Sequence, residues 1–476
     1  MRAVELLNPA IMGVADYYRH PAVRRRMLEF LGGDDPENAT AVYLSRCDLA
    51  SPYDFFPRPP AELDSFLDHG LDVGRSLWDR RFLVVHLDLE YVNFDFPAEP
   101  YLDPSRTFAL QRPMVEAVGE LFAGFGLAPL HLLSGRGHHF VWQVPRDSEI
   151  FRELTELVAL PEHLAAIYRK PHPPLGEPVS LDHGRAFAGL ALVIEYLAQC
   201  IKERAAAKST LPVELTAVMV GPQQRGREMV SVDISEYADP LNLRMIRLPF
   251  SAYLKPWNQY GIIHPDSGDQ IPLMFAIAVP AMDSEQMVEV MRDASRAAAL
   301  AETADARIPV QAEATARLLA AYRQSRLAAF HQYFYAAGHD PPERWPGGYD
   351  RLAMSRLPSC VVRILSHPNT LLLEPAAIRQ VVTTLLALDW HPRHIAGLIR
   401  SKYERDYGWG GKWYLYDAAS RADFYTRIFA GLIATGLDRL QDFNCVSARE
   451  KGLCYNGEEE CGLEELRNIL LARMEQ

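Results

Sequence analysis

Three acidic residues in two short apolar runs are the part of this sequence best suited to chemistry. Asp88 and Glu90 end a run that begins at Phe82, and Asp233 ends a second run. Alternate residues of a strand face the same side, so Asp88 and Glu90 should project together. Their charges repel unless a cation lies between them, and carboxylate oxygens suit Mg²⁺ or Mn²⁺. The alternative is a solvated strand edge.

A glycine-containing turn lies between the acidic runs. It reads Ser134-Gly-Arg-Gly-His138 and leads into His139 and another β-forming run. Backbone N–H groups beside the Arg136 guanidinium could hold a triphosphate. The same residues also fit a tight turn in which the glycines only supply positive φ and His139 is structural.

A cationic stretch follows the last acid. Arg247, Ser251 and Lys255 are spaced by four residues. If a strand continues through residues 243–254, these three side chains share one face and could bind phosphates. Taken one by one, the two cations would be ordinary surface charges.

The elements that must carry these residues alternate between strand and helix. The patterns predict a strand at 82–89, a helix from about Arg112 to Phe125, a strand from His139 to Val144 and a hairpin within 214–233. This alternation indicates an α/β unit.

Length and composition are those of a globular protein of two or three domains. The chain has 476 residues, a net charge of −12, and no apolar run long enough to span a membrane. We therefore expect a cytoplasmic protein without a membrane partner. The negative charge argues against indiscriminate nucleic-acid binding but allows a local basic groove.

The order of these elements resembles the archaeo-eukaryotic primase superfamily over roughly residues 80–260. An Asp-x-Glu strand, a Ser-Gly-x-Gly-x-His turn and an apolar run ending in Asp precede Arg-x-x-Arg-Leu-Pro-Phe-Ser-x-x-x-Lys. The resemblance implies an α/β (α+β) core like that of the RNA-recognition motif. It also implies catalytic and ligand-binding roles for the residues of these motifs.

Those roles concern metal and nucleotide binding. The resemblance implies that the catalytic acids Asp88, Glu90 and Asp233 hold Mg²⁺ or Mn²⁺, with Asp239 as a rival third acid. The implied triphosphate contacts are Ser134, Arg136, His139, Arg247, Ser251 and Lys255. Tyr91, beside the acidic pair, is a candidate for sensing the sugar.

Four cysteines lie in the last quarter of the chain: Cys360, Cys445, Cys454 and Cys461. In a chain otherwise poor in cysteine they suggest a metal site rather than disulfides, and their spacing does not separate zinc from iron–sulfur. A proline turn with one Cys, a helical stretch and three more Cys resembles the C-terminal domain of the primase large subunit, over about residues 346–470. That resemblance implies a [4Fe–4S] cluster.

The same region is locally basic, with ten Lys/Arg against six Asp/Glu between Arg356 and Arg427. Five residues there could bind the initiating nucleotide or the template: Arg393, Arg400, Lys402, Lys412 and Trp413. The alternative is a solvated helical face with Trp413 in a core.

Together these features predict four regions: an N-terminal helical region (1–80), the catalytic domain (81–283), a helical linker (284–345) and a mostly α-helical C-terminal domain (346–476). The resemblance implies a primase-polymerase acting on single-stranded DNA with NTPs or dNTPs, as in plasmid, phage or CRISPR-associated loci, with replication or CRISPR adaptation proteins as partners. A catalytically inactive nucleic-acid-binding relative and a metal-dependent nuclease are the rival functions. Sugar preference and oligomeric state stay open.

Overall fold

The computed structural model describes residues 13–46, 57–172, 175–218, 220, 224–279, 284–409, 416–454 and 461–474. The protein is a mixed α/β structure with a helical C-terminal region. One large hydrophobic core runs from the N-terminal helices through the sheets into that region, and a small second cluster contains Val92, Phe94, Ala217 and Met229.

The strands form two sheets. They are β1 (Leu44–Arg46), β2 (Val73–Ser76), β3 (Phe82–Val92), β4 (Leu130–Ser134), β5 (Gly137–Pro145), β6 (Val213–Leu215), β7 (Met229–Asp233), β8 (Met245–Arg247) and β9 (Ile277–Ala278). The larger sheet has the order β6-β7-β3-β5-β4-β9, and the smaller has the order β1-β2-β8.

The α-helices surround and extend these sheets. They are α1 (Pro21–Leu31), α2 (Leu63–Asp68), α3 (Glu99–Leu102), α4 (Pro104–Phe125), α5 (Glu149–Thr155), α6 (Glu162–Arg169), α7 (Leu181–Ala206), α8 (Lys255–Tyr260), α9 (Ser284–Met291), α10 (Ala294–Thr303), α11 (Ala312–Arg323), α12 (Arg326–Tyr335), α13 (Ser359–Ser366), α14 (Pro375–Ala387), α15 (Pro392–Tyr403), α16 (Ala418–Thr435), α17 (Cys445–Glu450) and α18 (Leu463–Met474). Short 3₁₀ turns include Ser235–Ala238 and Leu241–Leu243.

Strand β3 is central in the larger sheet because its apolar run can be buried on both sides. It pairs antiparallel with β5 and β7, and helices α4 and α7 pack against it. Asp88 lies directly opposite His139 on one neighbouring strand and Asp233 on the other. Directly opposed residues face the same side of a sheet, so the register sets these three side chains in a row.

Three expectations about these elements are wrong. Strands β6 and β7 pair in parallel, so residues 214–233 are not a hairpin. Strand β8 belongs to the smaller sheet and ends at Arg247. The chain leaves extended geometry soon after, at Pro249 and at Phe250, whose φ is 64°. The N-terminal region is also not purely helical, since it supplies β1 and β2 to that sheet.

Helices α9 to α12 do not act as a free spacer. Helix α9 packs on α4 and β4, α11 packs on α7 and β5, and α12 packs on α7 and α16. These contacts bury the apolar faces that were expected to belong to a linker. The helical C-terminal region is thereby held against the sheet domain.

Helix α7 is the one described helix that is long and apolar enough to cross a membrane. Of its most apolar window, 78% is buried inside the protein. Its surroundings are therefore those of a core helix, and the cytoplasmic location stays a prediction.

Candidate active site

Asp88, Glu90 and Asp233 come together at the ends of β3 and β7. One carboxylate oxygen of each lies within 4.8 Å of the others, and no other described group of His, Cys, Asp or Glu meets this spacing. Asp88 and Asp233 are each only 9% exposed. The buried Oδ1 of Asp88 accepts no hydrogen bond from any residue in the described part of the chain.

The electrostatic state of these acids reflects crowding. Burial, and then the charges of Glu90 and Asp233, hold the pKa of Asp88 well above its usual range. Burial, Glu90 and Glu236 raise the pKa of Asp233 to about 7, although the Ser235 backbone N–H opposes this. Two or more buried carboxylates with an orphaned oxygen are a donor set that fits hard divalent cations.

The glycine-containing turn lies next to Glu90. Gly135 has φ 51°, and a Cβ there would lie 2.5 Å from the Tyr253 ring; a Cβ on Gly137 would lie 1.9 Å from the Leu89 carbonyl oxygen. The two-residue turn therefore requires glycine on both sides of Arg136. The Arg136 guanidinium pairs with Glu90 and offsets part of its charge.

His139 is held by a chain of hydrogen bonds. Its Nε2 lies 2.6 Å from Ser134 Oγ, its Nδ1 lies 2.9 Å from His86 Nε2, and His86 Nδ1 lies 3.0 Å from Glu236 Oε1. Burial, and then His86, keep the pKa of His139 well below its usual range. One consistent assignment has each ring donating toward Glu236, which leaves His139 Nε2 to accept from Ser134.

The cationic stretch is only partly at the pocket. The Arg247 guanidinium donates to both oxygens of buried Asp72, at 2.8 and 2.9 Å, and lies over the Tyr253 ring. Lys255 lines the same pocket and has no ion-pair partner among the described residues.

Ser251 is fully buried, and its hydroxyl donates to the Leu248 carbonyl. The predicted nucleotide contact by Ser251 is therefore wrong, because the strand that should have aligned it ends early.

Asp239 and Tyr91 are also occupied elsewhere. The buried Asp239 carboxylate accepts from Arg244 and from Arg421, so it is not the third acid of the cluster. The Tyr91 hydroxyl lies within hydrogen-bond distance of carboxylate oxygens of Glu99 and Glu228 and can donate its one proton to either. It lies on the strand face opposite Glu90, which excludes the predicted contact with a sugar in this pocket.

These residues enclose a cavity of about 440 Å³, which we call the acidic pocket. The predicted residues that line it are Asp88, Glu90, Ser134, Arg136, His139, Asp233, Arg247 and Lys255. Sequence patterns did not indicate His86, Glu236, Arg46, Tyr253 and Tyr416, which also line it, or Asp72 behind Arg247. None of these six residues lies in a sequence motif together with the pocket residue that it contacts.

The four cysteines lie close together in the C-terminal region. Cys445 Sγ is 3.8 Å from Cys461 Sγ, and Gln380 Nε2 donates to Cys360 Sγ at 3.5 Å. Burial, and then Cys461, raise the pKa of Cys360 to about 12 and also raise the pKa of Cys445. Thiols that resist ionisation on their own are donors that a metal centre would stabilise as thiolates.

The predicted basic surface is not assembled in the described residues. Arg393 is paired with Asp423 at 3.1 Å, and its guanidinium lies over the rings of Phe334 and Tyr335, so its binding role stays a prediction. Arg400 forms an ion pair with Glu404 at 2.6 Å. Lys402 Nζ lies 3.5 Å from the Tyr407 hydroxyl. Lys412 and Trp413 lie outside the described residues.

Comparisons with family models, with curated proteins and with solved structures gave no match to this chain. A function for this protein must therefore be inferred from the geometry of the acidic pocket and of the cysteine cluster.

Proposed function

We propose that this protein is a template-dependent primase-polymerase that starts and extends short strands on single-stranded DNA. The observation that carries the proposal is the acidic pocket itself. Two buried carboxylates and the half-buried Glu90 share a cavity with cationic side chains, and Asp88 Oδ1 accepts no hydrogen bond from the described residues. Nucleotidyl transfer needs both kinds of side chain: carboxylates to bind metal ions, and cations to bind the triphosphate.

The acids have the donor chemistry for Mg²⁺ or Mn²⁺. Asp88, Glu90 and Asp233 would hold the ions, and Arg136 fixes the orientation of Glu90 through its ion pair. Divalent ions held by these acids would supply the chemistry of nucleotidyl transfer, by lowering the pKa of a 3′-hydroxyl and offsetting charge on a pyrophosphate leaving group.

The other wall of the acidic pocket suits a triphosphate. Lys255 offers an ammonium without a protein counter-charge among the described residues, and Asp72 fixes the Arg247 guanidinium in place. The chain from Glu236 through His86 holds His139 and Ser134 in one orientation. Positioned donors of this kind stabilise phosphate charge without reorganising during the reaction.

Primer synthesis on unprimed single-stranded DNA tests the proposal. We expect the wild type to make products with Mn²⁺ or Mg²⁺ and one of the two nucleotide sets. Asp88→Ala/Glu90→Ala should lose at least about 10³-fold in rate, because the ions lose two ligands. Denaturing gels of labelled products provide the measurement, and the preferred nucleotide set gives the sugar preference.

The control is Asp64→Ala/Asp68→Ala, which removes two exposed carboxylates from α2. It should synthesise like the wild type. Extension of primed templates alone would restrict the function to a polymerase. Absence of synthesis on both templates would contradict the proposal, and template cleavage that needs the same acids would support a nuclease instead.

We also propose that Cys360, Cys445, Cys454 and Cys461 bind a [4Fe–4S] cluster. No three of these sulfurs lie within 4.8 Å of one another. A tetrahedral zinc site, with Zn–S bonds of about 2.3 Å, would bring all of them to about 3.8 Å. Cys445 and Cys461 already have this spacing, so the cluster assignment rests on the resemblance to the primase large subunit, and zinc is the alternative.

Metal analysis of anaerobically purified protein tests this assignment. We expect about four irons per chain and a visible absorbance band that Cys360→Ser/Cys461→Ser removes. Cys200→Ser, which changes an isolated thiol on α7, is the control and should keep both. One zinc per chain without the band would replace the cluster by a structural zinc site.

A further inference from the structure

One residue of the acidic pocket comes from the helical C-terminal region. Tyr416 lines the same cavity as the three carboxylates and stands just before helix α16. Its hydroxyl can donate or accept a hydrogen bond, but most of the side chain is an uncharged ring. That ring offers a flat apolar surface.

The Tyr416 ring is backed by a fixed cation. Arg421, in the first turn of α16, places its guanidinium carbon 3.7 Å from the ring centroid. The guanidinium also donates to both oxygens of buried Asp239, at 2.7 and 2.9 Å. Because Arg421 covers one face of the ring, the acidic pocket meets the other face or the ring edge.

The same carboxylate ties Tyr416 to a metal-binding acid. Asp239 pairs with Arg244, whose Nη2 donates to the Ser235 carbonyl at 2.9 Å. The Ser235 N–H donates to Asp233 Oδ1 at 2.9 Å. The position of the ring is thus set relative to Asp233.

The pocket therefore has two chemically different sides. Arg136 and Arg247 lie toward Glu90 and Tyr253, where phosphates would bind. Tyr416 lies against Arg421, on the side where Arg244 and Arg421 are both paired with the Asp239 carboxylate. A nucleotide with its phosphates on the first side would have its nucleoside on the second.

We propose that Tyr416 is the platform on which the base of the incoming nucleotide stacks. This inference rests on the proposed polymerase function and adds the residue that binds the nucleoside. Every base has a π-face, so stacking tolerates all four bases, as template-dependent synthesis requires. The C-terminal region would then complete the nucleotide site.

Single-nucleotide addition to a primed template tests this role. Tyr416→Ala should raise the KM for the nucleotide about five- to a hundredfold and change kcat much less, because stacking acts in the ground state and the transition state alike. Tyr416→Phe keeps the ring and should stay within about twofold of the wild type. Tyr333→Ala, which removes an aromatic side chain that is 54% exposed, should leave KM unchanged.

Two results would overturn the inference while leaving the proposed function intact. One is a wild-type KM in Tyr416→Ala. The other is equal loss in Tyr416→Phe and Tyr416→Ala, which would assign the effect to the hydroxyl group. If the wild type extends no primer, equilibrium binding of dATP with Mn²⁺ is measured instead. Weaker binding by Tyr416→Ala, with wild-type binding by Tyr416→Phe, supports the stacking role. Equal binding by Tyr416→Ala and the wild type overturns it.

Discussion

The carboxylates of the acidic pocket and Glu195 of helix α7 are all buried, but their pKa values are shifted in opposite directions. In the pocket, burial and neighbouring acids raise the pKa values of Asp88 and Asp233. At Glu195 burial also acts to raise the pKa, but Arg427 and His331 outweigh it and the pKa is lowered. The difference lies in the partners, since both sites are removed from water.

The Glu195 site joins three parts of the molecule. Arg427 of α16 donates to Glu195 Oε2 at 2.7 Å and to the Tyr335 hydroxyl at 2.8 Å, and His331 of α12 lies 3.2 Å from Glu195 Oε1. Charge is balanced there within the protein. In the acidic pocket the neighbouring carboxylates instead raise one another's pKa values, and the divalent cation that we propose there would offset this repulsion. The Glu195 cluster is therefore an ion-paired joint between helices, whereas the acidic pocket is where we propose that a cation binds.

The largest effect should come from breaking the compensated cluster. Arg427→Met leaves Glu195 buried without its cation, which costs about 3–5 kcal/mol of unfolding free energy. Urea unfolding at pH 7 measures the loss. Glu195→Gln/Arg427→Met removes both charges and should recover part of it.

Arg227→Met is the matched control. Arg227 also joins the sheet domain to the C-terminal region, through Glu450 at 2.8 Å, but the side chains are 57% and 46% exposed. Exposed pairs contribute about 0–1 kcal/mol. Equal losses in Arg227→Met and Arg427→Met would show that burial and charge balance do not distinguish the two sites.

Local rules were enough to predict the centre of the acidic pocket. The two-residue period of a strand places Asp88 and Glu90 on one face, and the turn chemistry of Gly135 and Gly137 follows from their steric surroundings. The same period could have excluded the predicted sugar contact of Tyr91, because neighbouring residues of a strand face opposite sides and Tyr91 follows Glu90. That signal was in the sequence and was missed.

Other features depend on partners far along the chain. The choice between Asp233 and Asp239 could not be made from sequence, because Arg421 of the C-terminal region occupies Asp239. Asp72 behind Arg247 and Tyr416 in the pocket wall are of the same kind. The helices of residues 284–345 were predicted but their packing was not, since helical spacing does not say what the apolar faces of α11 and α12 pack against.

A smaller effect should come from relieving charge in the acidic pocket. In the metal-free protein the folded-state pKa of Asp233 is about 7, against an unburied value of 3.8. Between these values the folded state binds more protons than the unfolded state, so stability falls as pH rises from about 4 to 7. Asp233→Asn removes this loss and should stabilise the metal-free protein by about 1–3 kcal/mol at pH 8, and by less at pH 5.

Asp423→Asn is the control of opposite sign. Burial acts to raise the pKa of Asp423, but His339, Arg393 and Arg427 outweigh it and lower the pKa. Its stabilisation is therefore present at neutral pH and is lost as pH falls, so this substitution should destabilise the protein at pH 8. Urea unfolding in EDTA at both pH values measures both variants.

Adding Mn²⁺ should stabilise the wild type and leave Asp233→Asn nearly unchanged, because only the wild type keeps all three acids that would balance the ion. A pH-independent difference between Asp233→Asn and the wild type would mean that the acidic pocket is not electrostatically strained without metal.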